Sequence, residues 1–289
     1  MDLGKVGVFC FTDALTPVQL TELAQRTEQL GYAALWYPEA LGYESFALAS
    51  FLLTQTTTLI IASGIANIYA RDATTAKQGQ HTLVKLSGGR FLLGLGVSHG
   101  PLVEDARGHR YGKPVATMRA YLEAMDKAAA IVPPLEAPPP TVLAALGPQM
   151  TALAAARTAG AFPYNVTPEH TARARAILGP DKWLCVEQKV LLVQDPAKAR
   201  RVARHAMAFY LPLTNYRRNW RRLGFREEDL ADGGSDRFVD AMVAWGDAPV
   251  IRQRLQAHFD AGASHVCIQP LHPEGQPLPD LQALAALAP

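Results

Sequence analysis

No stretch of the 289-residue chain approaches the roughly 18 consecutive apolar residues that a membrane-spanning helix requires, so no membrane partner is expected. Neither sign of charge dominates. The chain has 28 Lys and Arg against 26 Asp and Glu, too even a balance for nucleic acid or an anionic membrane to be its principal partner. Cysteine is scarce: Cys10, Cys185 and Cys267 lie far apart in apolar, strand-like stretches and form no C-x-x-C pair. That pattern argues against a disulfide framework and for small buried hydrophobes. The eight histidines include no H-x-x-x-H pair and no Cys/His cluster at zinc spacing, so no metal is expected. Residues 1–6 lack a basic segment followed by an apolar stretch, so no secretion signal is read and a cytoplasmic location is expected. Also missing is a G-x-G-x-x-G after the first apolar run, which weakens the case for an open dinucleotide-binding sheet.

What the chain does have is a regular alternation of short apolar runs with longer amphipathic stretches. Hydrophobic residues make up 49% of it and charged residues 19%, a globular composition able to bury a large core. Strands are predicted over 7–11, 33–38, 59–66, 91–97, 141–146, 162–166, 183–193 and 264–271, with helices between them. Thr16 before Pro17 reads as a helix start, and Ser87-Gly88-Gly89 as a helix stop. Uninterrupted apolar runs such as Leu59-Ile60-Ile61-Ala62 are what strands buried on both faces require. Eight such runs point to a single (β/α)8 TIM barrel over 1–289, with a helical insertion around 196–245. The insertion reads as two helices around the polar break Asp232-Gly233-Gly234-Ser235.

In such a barrel the active site forms from the loops at the carboxyl ends of the strands. Those loops hold Trp36-Tyr37-Pro38-Glu39, Ser63-Gly64-Ile65-Ala66-Asn67, Gly94-Leu95-Gly96-Val97-Ser98-His99 and Ala145-Leu146-Gly147-Pro148. The imidazole of His99, with an ordinary pKa near 6.5, can hold and release a proton around neutrality. Gly147 would let the backbone approach a ligand, and Pro148 opens a helix whose free N–H groups face an anion. The basic loop from Arg107 to Lys113 lies on the same rim, and Tyr164 and Asn165 could line the pocket. A denser basic stretch, Arg217, Arg218, Arg221 and Arg222, precedes Glu227, Glu228 and Asp229, and reads as an ion-paired, solvated helix face.

Taken in order, W-Y-P-E, S-G-I-A-N, S-G-G-R-F-L-L-G-L-G (87–96), A-L-G-P and the 261–266 segment resemble the luciferase-like monooxygenase family, particularly its deazaflavin-dependent branch. The resemblance implies an oxidoreductase that holds the deazaflavin coenzyme F420, with FMN as the alternative, and acts on a small-molecule substrate, often as a homodimer. It implies a non-proline cis peptide at Gly64–Ile65 behind the coenzyme ring, next to Ser63. It implies contacts from Glu39 and Asn67 to the ring's polar edge, and a phosphate-binding turn at Ala145, Leu146, Gly147 and Pro148. His99 stands where sugar-phosphate dehydrogenases of the branch carry an acidic glutamate, so His99 and Glu39 are the expected catalytic pair. Those dehydrogenases also have histidine after the Glu39 position, where this chain has Ala40; a sugar phosphate is therefore not the expected substrate. Two other readings are an FMN-dependent monooxygenase and a coenzyme-binding storage protein with little turnover.

Overall fold

The computed structural model describes residues 1–289. Eight parallel strands form a ring: β1 (Val6–Phe9), β2 (Ala34–Tyr37), β3 (Ile60–Ser63), β4 (Phe91–Gly96), β5 (Thr141–Ala144), β6 (Gly160–Phe162), β7 (Trp183–Leu191) and β8 (His265–Pro270). Each pairs with the next. The ring closes because β8 pairs with β7 and with β1, setting His265 opposite Cys185 and Val6 opposite Val266. The fold is the expected (β/α)8 barrel. No helix is long and apolar enough to cross a membrane.

The strands are apolar throughout because both of their faces are covered. Inward, every strand contributes to one cluster, which includes Phe9, Trp36, Ala62, Leu92, Val142, Phe162, Cys185 and Cys267. Outward, residues such as Leu35, Ile61, Leu93, Leu143, Val186 and Ile268 join the larger core shared with the helices. Within the ring, Trp36 stacks on Phe162 with centroids 4.7 Å apart and planes 15° apart. The Trp36 indole N–H donates to His265 Nε2 at 3.1 Å, and His265 Nδ1 lies 3.0 Å from the carbonyl oxygen of Gly4. A Cβ on Gly7 would fall 2.5 Å from that imidazole, which explains the glycine in β1. The first helix, Pro17–Gln29, begins with the expected cap: Thr16 and Gln19 bond reciprocally, with Pro17 at its first position.

The structure differs from the sequence reading in several places, most of them with a physical cause. The third strand, predicted over 59–66, stops at Ser63, and the chain resumes along β4 as the two-residue strand Ala66–Asn67. Ala62 faces Leu92 but Ala66 faces Leu95, so four steps on one strand match three on the other, the signature of a bulge. The Ser63 hydroxyl spans the gap, donating to the carbonyl and accepting from the N–H of Gly94, both at 2.9 Å. The Gly64–Ile65 peptide inside the break is cis. The sixth strand ends at Phe162 rather than continuing to 166, because Pro163 has no N–H for the ladder and Asn165 takes φ = 57°. A short helix, Gly100–Glu104, forms after β4 where only a loop was expected.

The insertion holds four helices rather than two: Pro196–Met207, Thr214–Arg222, Glu227–Leu230 and Asp236–Met242. Pro212 and Gly224, at φ = 91°, supply the breaks that the sequence reading passed over. After them a three-residue strand, Val243–Trp245, runs along the end of β7, on the edge opposite β8. The insertion also has its own core, in which Met207, Tyr210, Trp220, Phe238 and Met242 pack onto Leu191 at the top of β7.

Candidate active site

A cavity of about 860 Å³ opens at the carboxyl end of the barrel. Strand ends make its floor: Gly64 and Ile65 after β3, Gly96 at the end of β4, Ala144 at the end of β5 and Phe162 at the end of β6. A Cβ on Gly96 would lie 2.3 Å from Ile65 Cδ1, so this glycine is what lets Ile65 rest flat against β4. The insertion makes the roof, through Phe209, Tyr210, Asn215, Tyr216, Arg218 and Arg222.

His99 stands on the wall between floor and roof. Ser98, before it, takes the left-handed conformation at φ = 58°, and its carbonyl oxygen accepts from the Tyr111 hydroxyl at 3.2 Å. That turn swings His99 off the strand line. Its ring lies 5.7 Å from the Tyr216 ring, centroid to centroid. Burial holds the imidazole below its ordinary pKa, opposed by a hydrogen bond with the Asn215 side chain. At pH 7 the ring is therefore neutral.

Gly147 caps the helix Pro148–Arg157 with no side-chain hydrogen bond, and Gly147, Pro148, Gln149 and Met150 all face the cavity. Pro148 has no N–H, and the N–H of Thr151 is the first to bond back, to Gly147 O. The N–H groups of Gln149 and Met150 are the free donors of the first turn. His170 Nε2 lies 3.0 Å from Leu146 O and holds the turn from behind.

Beside the floor lies a buried polar network. Glu187 and Lys189, two residues apart on β7 and so on one face, form an ion pair at 3.3 Å with both side chains about 1% exposed. The ammonium also donates to Asn165 Oδ1 and sits 3.9 Å from the centroid of the Tyr164 ring. Burial pushes Lys189 down and Glu187 up, each resisted by the charge of the other. The Tyr164 hydroxyl meets that of Tyr210 at 3.0 Å and donates to Gln269 at 2.8 Å. This network separates the large cavity from a smaller one of about 370 Å³, lined by Lys189, Tyr210, Gln269 and the 275–279 segment.

The sequence model of the luciferase-like monooxygenase family matches residues 4–265. The chain belongs to that family. It is thus a luciferase-like enzyme, and three similar proteins cover nearly all of it. A Mycobacterium tuberculosis protein, provisionally named a coenzyme F420-dependent oxidoreductase, is 25% identical over 93% of this chain and 96% of its own. The coenzyme F420-dependent tetrahydromethanopterin reductase of Methanopyrus kandleri superposes with a TM-score of 0.78 at 16% identity, covering 98% of this chain and 97% of its own. An F420-dependent secondary alcohol dehydrogenase, solved with an F420–acetone adduct, does so with 0.76 at 13% identity, covering 98% and 96%. At those identities the two structures establish the fold alone.

In this luciferase-like site His99, Gly64, Ile65, Ala145, Leu146, Gly147 and Pro148 come together around the cavity, as the sequence reading grouped them. Two expected residues do not. Ser63 is fully buried and tied to Gly94, and Asn67 lies behind the wall, its side-chain oxygen accepting from the Tyr69 N–H at 2.9 Å. Glu39 reaches the cavity wall, yet its carboxylate is already engaged. It pairs with Arg71 and accepts from the N–H groups of Asn67 at 2.7 Å and Ser45 at 3.3 Å. Those bonds tie the turn after β2 to the broken β3. The loop 107–113 contributes only Tyr111 to the wall. The cations come instead from the stretch read as a solvated face, which the structure divides. Arg217 and Arg221 pair with Glu227 outside, whereas Arg218 and Arg222 turn to the cavity.

Proposed function

We propose that this enzyme uses the reduced deazaflavin coenzyme F420 to transfer a hydride to a small organic acceptor. One observation carries the reading: a single cavity combines a flat apolar floor, an uncapped helix N-terminus and a neutral imidazole. Its volume, about 860 Å³, lies within the range of coenzyme sites. The floor suits a planar heteroaromatic ring, and the free N–H groups of Gln149 and Met150 suit a phosphate on its tail. The name of the mycobacterial relative points the same way.

Bound there, the reduced coenzyme would supply a hydride, two electrons and a hydrogen nucleus together. The protein's own part is orientation, exclusion of water and handling of the proton. Gly64 and Ile65 would support the ring from below, and Ala145 and Leu146 would wall it. Hydride addition to a carbonyl carbon leaves negative charge on its oxygen. His99 can carry the proton that this oxygen must take up: the protonated ring gives it to the oxygen and ends as the neutral imidazole that prevails at pH 7. In the reverse direction the same neutral ring accepts the proton of an alcohol.

The test is an anaerobic titration of the protein with F420 and with FMN, followed by carbonyl, alkene and nitro acceptors. Tighter binding of F420, and its oxidation by at least one acceptor class, is the expected result. Tighter binding of FMN with oxygen-dependent turnover would replace the reading with a flavin monooxygenase. Tight binding with no turnover across the panel would replace it with coenzyme storage.

A further inference from the structure

Arg222 sits where electrostatics disfavour it. Its guanidinium lies 3.5 Å from where a Cβ on Gly147 would stand, at the N-terminus of the helix Pro148–Arg157. That end of a helix carries about half a positive charge and favours anions, not cations. Arg173 adds to the crowding by donating to Arg222 O. The positive field reaches His170, whose pKa is lowered first by burial and then, against the Leu146 carbonyl, by the charges of Arg173 and Arg222. Arg218 stands one helical turn before Arg222 on the same face, also lining the cavity. Neither arginine has a carboxylate partner, although their neighbours Arg217 and Arg221 share Glu227. Two unpaired guanidiniums thus face an uncapped helix N-terminus across one cavity. An anion of more than one charge would relieve the arrangement.

We infer that Arg218 and Arg222, from the insertion, clamp the anionic tail of the coenzyme against the 147–150 turn, so that the roof closes over the tail as it binds. The inference rests on the coenzyme reading above. An organic phosphate or carboxylate on the substrate offers the same chemistry, but Arg222 lies against the turn that the tail would use, so the tail is the occupant assigned. The clamp is charge-assisted hydrogen bonding, strongest when both guanidiniums engage.

The experiment compares two ligands by fluorescence titration: the complete deazaflavin coenzyme and the deazariboflavin that lacks the phosphate and everything beyond it. It is run on the wild type, Arg218→Ala, Arg222→Ala, the double variant and the Arg222→Lys control. Each alanine should weaken the complete coenzyme by about tenfold or more, since a hydrogen bond to a charged group contributes at least that factor. The tail-less ligand should be unaffected, and lysine should recover part of the loss. The wild-type affinity for the complete coenzyme should also fall with salt, and this dependence should flatten in the double variant. Equal weakening of both ligands, or of neither, would overturn the clamp. Unchanged coenzyme binding with a raised acceptor KM would overturn it too, by giving the cations to the substrate. A wild type that binds both ligands, with arginine variants that do not distinguish them, sinks the clamp alone. A wild type that binds neither ligand sinks the coenzyme reading and the clamp with it.

Discussion

The floor of the cavity consists of strand ends fixed by a ring of backbone hydrogen bonds, whereas the roof consists of helices fixed by side chains. In the floor, displacing one group meets the packed interior of the barrel; Trp36, Phe162 and Phe9 stack there with no room to spare. In the roof, the helices lean on a separate small core and on half-exposed ion pairs such as Arg200–Asp240 and Arg204–Asp236. Pairs of that kind contribute little each. The contrast teaches a division of labour: substitutions in the barrel should register in stability, and substitutions at the roof and wall in binding and turnover.

The sharpest test is inside the barrel. Lys189→Met would leave Glu187 buried without its cation and should cost about 3–5 kcal/mol, read by urea unfolding, with Glu187→Leu added in the same chain restoring part of it. A loss under about 1 kcal/mol would show that water reaches the pair and that the floor is softer than described. Acid probes the same region. Burial lowers His265 to about 4, against the carbonyls of Gly4 and Leu3, from an ordinary 6.5. The folded state then binds fewer protons than the unfolded chain between those values. Stability present above pH 6.5 is therefore lost as the pH falls towards 4, by about 3 kcal/mol from this group. His258, lowered to about 3 mainly by burial, adds to the slope. Unfolding curves between pH 7 and 4.5 check the sign, and His265→Gln should flatten the dependence.

At the wall the readout should change from stability to rate. His99→Ala should slow turnover by about a hundredfold or more while leaving coenzyme affinity and melting temperature nearly unchanged. Equal losses in rate and affinity would turn His99 into a mere binding contact. The wild-type rate of alcohol oxidation should fall in acid, at a pH below 6.5, as the depressed imidazole takes up its proton, while carbonyl reduction should not fall with it. The smallest effect should come from Gly96→Ala. Its methyl would push Ile65 up from β4 into the cavity, weakening ring binding severalfold for about 1 kcal/mol of stability. If binding did not change, Ile65 would not be part of the floor.

The barrel was legible because its strands, buried on both faces, must be apolar runs, and because their carboxyl ends carry the Gly64, Gly96 and Gly147 turns. Boundaries were less legible where a single residue decides them, as Pro163 does for β6 and Ser63 for β3. The site split the same way. His99 and the Gly147 turn follow strand ends and could be placed by topology. Arg218 and Arg222 could not, because four arginines on one helix look alike until it is known which face Glu227 occupies. Glu187 and Lys189 did leave a signal. Two opposite charges, two apart within an apolar strand, have to share one buried face.

The insertion carries its own hydrophobic nucleus and grips the scaffold twice, through Val243–Trp245 along the tip of β7 and through Tyr210 and Trp220, which bond to Tyr164 and Asn165. Exchanging residues 196–245 for the corresponding segment of another family member would re-specify what enters from above, and would keep the floor intact only if the new segment preserved partners for Tyr164 and Asn165. Divergence of substrate range within such a lineage can then proceed by swapping ceilings over an inherited foundation.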